Sequence, residues 1–195
     1  LGHPPLDLDL VAEGDGTVLA RRLARQIGGR LSLHRSFGTA TLRGGPTGVL
    51  DVATARRERY PVPGILPVVS RAPILEDLRR RDFTVNAMAI SLAPSSFGTL
   101  LDPVGGLNDL RRRRIRALHP LSFIEDPTRI FRAVRYAKRL GFGLDRNSRR
   151  WVRLALRAGP YPALSGQRIM AELRLIAGEP RPVEILIALG RLGAF

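Results

Sequence analysis

An α+β fold in two parts is predicted from three features of the chain. Short apolar stretches broken by glycine- and proline-containing turns fill the first half, as strands and hairpins require. From about residue 107 onward, apolar residues recur at helical spacing. Between them stands Asp102-Pro103-Val104-Gly105-Gly106, which breaks both patterns and sets the boundary between residues 1–106 and 107–195.

The first strand is Leu6-Asp7-Leu8-Asp9-Leu10. Side chains alternate along a strand, so the leucines face a core and Asp7 and Asp9 share the other face. Two carboxylates about 5 Å apart at an effective dielectric near 20 repel by roughly 3 kcal/mol. A divalent cation would turn that repulsion into a binding site, since Mg2+ takes carboxylate and phosphate oxygens. The plainer alternative is a half-exposed edge strand with solvated aspartates. After a turn at Gly14-Asp15-Gly16, with Asp15 a candidate cap, Leu19, Leu23 and Ile27 mark a helix that Gly28-Gly29 ends. Leu31–Leu33 and Thr39–Leu42 read as short strands around Phe37-Gly38, followed by a turn at Gly44-Gly45-Pro46. In the next strand, Val49–Ala53, apolar residues flank one carboxylate, Asp51. If this strand neighbours the first, Asp51 joins Asp7 and Asp9; otherwise it is a solvated side chain.

Residues Arg56 to Pro73 hold three prolines before Pro73 and predict a long irregular, mobile loop whose Arg56, Arg57 and Arg59 meet phosphates or water. Ile74 opens a short helix that runs into Arg79-Arg80-Arg81-Asp82, where arginines meet Asp82, Thr84 and Asn86. Such a junction offers phosphate donors and sugar-hydroxyl partners, or simply a charged helix end. Val85–Leu92 reads as a strand paired with Thr99–Leu101 through a turn at Pro94–Gly98.

In the second part, Arg111–Arg114 is a basic run. Glu125-Asp126-Pro127-Thr128-Arg129 is a helix start with Asp126 at the N-cap and Pro127 at the first helical position. Ile130, Phe131, Val134, Ala137 and Gly141 form its apolar face. Arg129, Arg132 and Arg135 drift only about 60° per step and make one basic stripe with Lys138, either solvated or facing an anion. Further helices cover Asp145–Leu156, with Trp151 inward, then a segment capped at Ser165 in which Arg168 and Glu172 can pair, and Val183–Leu192.

Composition narrows the partners. The 195 residues carry a net charge of +15, which calls for a polyanion, most simply nucleic acid. Lys138 is the only lysine, and the arginine bias suits phosphate recognition or reflects a GC-rich genome. The absence of cysteine excludes disulfides and thiolate metal sites and fits the cytosol. No apolar run is long enough to span a membrane, and no signal-peptide pattern is present. His3, His34 and His119 lack metal-ligand spacing, and neither a P-loop nor a Ser/His/Asp grouping occurs. The first residue, Leu1, is not an initiator methionine, so a piece of a larger protein is expected.

Five motifs in order resemble the class II tRNA nucleotidyltransferase family, the CCA-adding enzymes and bacterial poly(A) polymerases. They are Asp7-Leu8-Asp9, Leu50-Asp51-Val52-Ala53-Thr54-Ala55-Arg56, Arg80-Arg81-Asp82-Phe83-Thr84-Val85-Asn86-Ala87, Asp102-Pro103-Val104-Gly105-Gly106 and Glu125-Asp126-Pro127-Thr128-Arg129. The resemblance implies a palm-type mixed β-sheet head over 1–106, incomplete at its N-terminal side, and an all-α neck over 107–195. It implies that Asp7 and Asp9 hold Mg2+ in a two-metal arrangement, assisted by Asp51. Arg81 would contact the nucleotide, and Asp82 and Asn86 the ribose. Asp126 and Arg129 would act as a protein template for the base of CTP or ATP, with Glu125 orienting Arg129 and with Arg132 and Arg135 helping to bind. The implied activity is Mg2+-dependent addition of C or A to the 3′ end of tRNA, in the cytoplasm, with no membrane partner and with a homodimer admitted.

Departures from the family pattern also stand out. Gln167 replaces the usual Glu before Arg168, and the glycine-rich segment that binds triphosphate and the body and tail that grip tRNA are expected outside these 195 residues. The chain alone is expected to lack activity. Alternatives on the same scaffold are poly(A) addition and A-only or CC-only addition. A non-catalytic basic RNA-binding module and a metal-dependent nuclease are the alternatives of other classes.

Overall fold

The computed structural model describes residues 8–34, 38–45, 48–159, 161 and 164–194, so Leu6 and Asp7 lie outside the described residues. Packing divides the chain into two units, Leu1–Glu58 with Val69–Asp77, and Arg59–Val68 with Leu78–Phe195. This division groups residues 78–106 with the helical part, whereas the sequence pattern breaks at Gly106.

In the first unit the elements are β1 (Leu8–Ala12), α1 (Gly16–Ile27), β2 (Arg30–His34), β3 (Thr39–Gly45) and β4 (Gly48–Thr54). The strands form one mixed sheet in the order β1-β4-β3-β2. β1 runs parallel to β4, while β3 is antiparallel to both β4 and β2. Leu42, Leu50 and Val52 on one face close around Ala20 of α1, with Leu10, Leu23, Ile27 and Leu31 packed at the margin. Leu8, expected in this core, is 42% exposed at the start of its strand. Asp15 caps α1 by accepting from the amides of Thr17 and Val18. Glycine is required at position 16, because a Cβ there would stand 2.7 Å from the carbonyl carbon of Ala53. That close approach lets the Gly16 amide donate to Thr54 Oγ1 at 3.0 Å.

The expected loop from Arg56 to Pro73 is instead built around a two-stranded ribbon, β5 (Arg56–Arg59) and β6 (Val68–Arg71). Its alternation is hidden in the sequence because Glu58, a charged residue, takes an inward position and is held by Arg56 at 3.0 Å. Arg57 pairs with Glu76 at 3.4 Å in α2 (Ile74–Arg79). The middle of the segment is tied down as well, with the Gly64 amide donating to the Glu125 carbonyl at 3.0 Å.

The expected strand Val85–Leu92 shrinks to β7 (Ala89–Ile90), antiparallel to β8 (Leu100–Leu101). Its first residues form a 3-10 turn, Thr84–Asn86, because Asp82 accepts from the Phe83 amide and the Asn86 side chain and curls the chain around itself. Thr84 also packs under α3 (Gly106–Arg111), where its hydroxyl donates to Asp109 at 2.7 Å. Asp102 caps this helix start, accepting from the Gly106 and Leu107 amides at 2.6 and 3.0 Å. Burial works to raise its pKa, but the amides of Leu107, Gly106, Gly105 and Val104 outweigh that and hold it below 3.8. A Cβ at Gly106 would lie 2.1 Å from the Thr84 carbonyl oxygen, an atom fixed in the backbone. The substitution Gly106→Ala is therefore expected to cost about 2–3 kcal/mol, read as a lower midpoint in urea unfolding.

The remaining elements are β9 (Arg114–Ile115), α4 (Ser122–Glu125), α5 (Thr128–Leu140), β10 (Gly143–Leu144), α6 (Arg146–Arg157), α7 (Gly166–Ala177) and α8 (Pro182–Leu192). α5 is the central helix: Ile130, Phe131, Val134 and Ala137 are buried against Phe83, Phe123, Val152, Ile176 and Leu189, with Trp151 at the edge. Gly141, expected on the apolar face, is exposed and ends α5 at φ 66°, the left-handed conformation that glycine adopts without strain.

Candidate active site

The sheet face opposite α1 carries the carboxylates. Register pairs Asp9 with Asp51 across the parallel strands β1 and β4, so the two side chains leave the same face about 4.8 Å apart at the backbone. On the other side of β4, Thr41 stands opposite Asp51 and its hydroxyl donates to Asp51 Oδ1. Thr41 is 8% exposed, so this hydrogen bond orients the carboxylate from within the sheet. Asp9 is exposed and Asp51 half-buried. Adjacent hard oxygen donors, with one oxygen of Asp51 uncommitted among the described residues, fit a Mg2+ ion, which keeps water and phosphate in its remaining positions. Asp7, expected as the second metal ligand, lies outside the described residues; among the described residues no larger cluster of acidic or histidine side chains forms.

The second unit gathers the other candidate residues around the start of α5. Asp126 ends α4 in an extended conformation and accepts from the Thr128 amide and hydroxyl at 3.1 and 2.6 Å, so it caps from one position before the N-cap, which is Pro127 and not Asp126 as the sequence predicts. The same oxygen, Oδ1, also accepts from Arg168 Nη2 at 2.8 Å. Its other oxygen has no partner among the described residues and is available as an acceptor. Arg168 thus pairs with Asp126 and with the Gly64 carbonyl at 2.8 Å, not with Glu172 as helical spacing suggests. The reason is geometric: the first turn of α7 meets the start of α5, while Glu172 is buried and turned to Arg132 and Arg135 instead.

Arg129 is 5% exposed. Its guanidinium donates to Ser122 Oγ at 2.8 Å and to Tyr60 OH and the Arg80 carbonyl at 3.3 Å each. These contacts fix its orientation; Glu125, assigned that role by the resemblance, lies instead 3.4 Å from His119. Burial lowers the His119 pKa below 6.5, with Glu125 pulling upward and Arg129 pushing down. Of the five N–H groups of the Arg129 fork, three are engaged among the described residues, and Nε–H and one Nη1–H have no partner there and are available to a ligand.

Arg132 donates bidentately to Asp82 Oδ2, at 2.8 Å from Nε and 2.6 Å from Nη2. Asp82 in turn accepts from the Asn86 side chain at 3.0 Å, so Asp82, Asn86 and Arg132 form one hydrogen-bonded group. Burial opposes the charge on Arg132, but Asp82 outweighs it and raises its pKa. Arg81 is half-buried at the turn that follows α2, its amide donating to the Leu78 carbonyl at 3.3 Å. Arg135 is turned inward, 3.4 Å from Glu179 and 3.7 Å from Glu172. Burial pushes the Glu172 carboxyl up, against the pull of Arg132 and Arg135. Tyr136 sits among Arg132, Arg135 and Arg139, whose guanidinium carbons lie 5.3, 4.8 and 5.9 Å from its ring centre. The basic stripe is therefore neither solvated nor wholly free for a ligand; much of it is neutralised inside the chain. Thr41, Tyr60, Ser122 and Tyr136 are absent from the sequence reading, since ordinary Thr, Ser and Tyr residues carry no signal until register and packing place them.

Residues 1–116 match the family model described as the Poly A polymerase head domain. An A-adding tRNA nucleotidyltransferase of Geobacter sulfurreducens is 43% identical over 194 residues, covering 99% of this chain and 22% of the relative. A CC-adding tRNA nucleotidyltransferase of Deinococcus radiodurans is 40% identical over 206 residues, covering 100% of this chain and 51% of the relative. A solved tRNA nucleotidyltransferase, complexed with a primer tRNA and an incoming ATP analog, matches with a TM-score of 0.86 at 42% identity, covering 99% of this chain and 54% of that one. The mixed sheet with its paired carboxylates and the helical set that follows in the chain thus define a palm-type nucleotidyltransferase head followed by a helical neck. The chain belongs to the family of class II tRNA nucleotidyltransferases and poly(A) polymerases. It spans between 22% and 54% of the length of these three proteins.

Proposed function

We propose that this chain is the catalytic and nucleotide-selecting part of an enzyme that adds C or A from CTP or ATP to the 3′ end of tRNA. The observation that carries the reading is the in-register pair Asp9–Asp51 on parallel strands, with Asp51 held by Thr41. In this reading residues 1–106 are the head that performs the transfer, and residues 107–195 are the neck that chooses the base.

The reaction joins the RNA 3′-oxygen to the α-phosphorus of the nucleotide, breaks the bond to the β-phosphate oxygen and releases pyrophosphate and the hydroxyl proton. Asp7 and Asp9 would hold Mg2+ with Asp51 assisting, and the ion would supply hydroxyl activation and neutralisation of the phosphate charge. Asp9 and Asp51 hold that site on a rigid sheet. Arg81 binds the nucleotide, and Asp82 with Asn86 meets the ribose while Arg132 holds Asp82 in position. The open oxygen of Asp126 accepts from the base, and the remaining Arg129 donors give to it; each good pair discriminates by about 1–3 kcal/mol. Glu125 and Arg135 support the helix around this template from His119 and from Glu172 and Glu179.

The test incubates the full-length protein with Mg2+ and tRNAs ending at the discriminator base, at C or at CC, offering CTP and ATP separately. Extension by the nucleotide that completes the next position supports the reading, and extension of CC-ended tRNA by ATP alone identifies the A-adding form. No extension of any of the tRNAs overturns it.

A further inference from the structure

The helix α6 carries a charged face that the reaction does not use. Arg146, Arg149, Arg150, Arg153 and Arg157 follow one side of it over about 16 Å of helix axis and are all exposed. Together with Leu144 they line a shallow groove of about 770 Å³. The contrast with α5 is one of neutralisation. Arg132, Arg135 and Arg139 meet Asp82, Glu172 and Glu179, whereas none of the five α6 arginines has a carboxylate partner among the described residues. The nearest acid in sequence, Asp145, is occupied in capping the helix through the Asn147 and Ser148 amides.

A second observation extends the patch. Arg111 to Arg114 are exposed, and Arg114 pairs with Gly143 across the short ladder that leads into α6. The Gly143 amide also donates to the Arg113 carbonyl at 3.0 Å. Arg113 itself has φ 53°, the one positive value at a non-glycine position among the described residues. A side chain held in that conformation marks a backbone shaped by something other than local preference.

We propose that the arginine run before β9 and the arginine face of α6 form one surface that grips the phosphate backbone of an RNA double helix. Charges spread along a line suit a polyanion whose duplex carries one charge per about 1.7 Å of axis, and not a single phosphate, which needs converging donors. The groove has no aromatic residue, so it offers neither the anchor of a protein interface nor a platform for unstacked bases. Phosphate contacts of this kind fix register without reading sequence. That the duplex is RNA rests on the proposed function above.

The test compares the full-length protein with a variant carrying R149A, R150A and R153A, and with a control of equal charge loss, R21A, R22A and R25A on exposed positions of α1. Binding of a short RNA hairpin is followed by fluorescence anisotropy between about 50 and 200 mM salt. The α6 variant is expected to bind about tenfold or more weakly, with a salt slope smaller by about 2–3, while the control loses less than about threefold. Lysine at the same three α6 positions should retain most of the binding, which separates charge from folding. In nucleotide addition, the KM for RNA should rise while turnover at saturating RNA is unchanged. Equal losses in both triple-alanine variants, or polyglutamate competing as well as the hairpin, would overturn the surface assignment. A protein that binds the hairpin in this pattern but adds no nucleotide would sink the enzymatic reading and leave this one standing.

Discussion

Replacing Asp51 with asparagine in the full-length protein is expected to lower nucleotide addition by about 10³-fold or more while leaving the protein folded. The side chain keeps its shape and its hydrogen bond from Thr41, so β4 and its neighbours lose little. What is lost is one of two negative charges that face each other in register across β1 and β4. Removing that charge weakens Mg2+ binding, so raising the Mg2+ concentration should recover part of the rate. Asp9→Asn should behave alike. Thr41→Val leaves the charge and removes only its orientation, and losses of about 10–100-fold are expected for a partner of that kind. Unfolding midpoints measured beside the rates separate these effects from instability; asparagine variants with normal rates would contradict the metal role.

The second large effect is expected at Arg129, and it is of a different kind. Lysine there keeps a positive charge but not the planar fork that reaches Ser122, Tyr60 and the Arg80 carbonyl together. The buried acceptors lose their partners, so the protein should be destabilised by about 2–3 kcal/mol. The choice between the correct and the wrong nucleotide on one tRNA should fall by about 1–3 kcal/mol, because a point charge does not distinguish base edges. Single-turnover rates with CTP and ATP on the same tRNA measure that ratio. An unchanged ratio would remove Arg129 from the template.

The strand and helix segments were legible where one face is plainly apolar. Leu50 and Val52 around Asp51, and Ile130, Phe131 and Val134 in α5, announce both the element and its buried side. Pairing was not legible in the same way. Nothing in the two short strands says that Asp9 meets Asp51 in parallel register, or that Thr41 meets Asp51 from the third strand. The ribbon β5–β6 is not legible because prolines and a buried charge, Glu58, disguise its alternation. The arginine stripe of α5 shows the limit of charge counting. Its spacing is plain in the sequence, but its partners Asp82, Glu172 and Glu179 come from distant segments, and only folding decides which charges are spent internally. Arg168 shows the same limit: helical spacing offers it Glu172, but the packing of α7 on α5 gives it Asp126.

The central claim is that chemistry resides in the carboxylates of the sheet and base choice at the start of α5. One measurement tests it most directly: single-turnover addition of CTP and of ATP to the same tRNA by wild-type protein, Asp51→Asn and Arg129→Lys in parallel. Asp51→Asn should slow both nucleotides by the same large factor and leave their ratio unchanged, while Arg129→Lys should shift the ratio far more than it slows the correct nucleotide. A changed ratio in Asp51→Asn with an unchanged one in Arg129→Lys would contradict the division of labour.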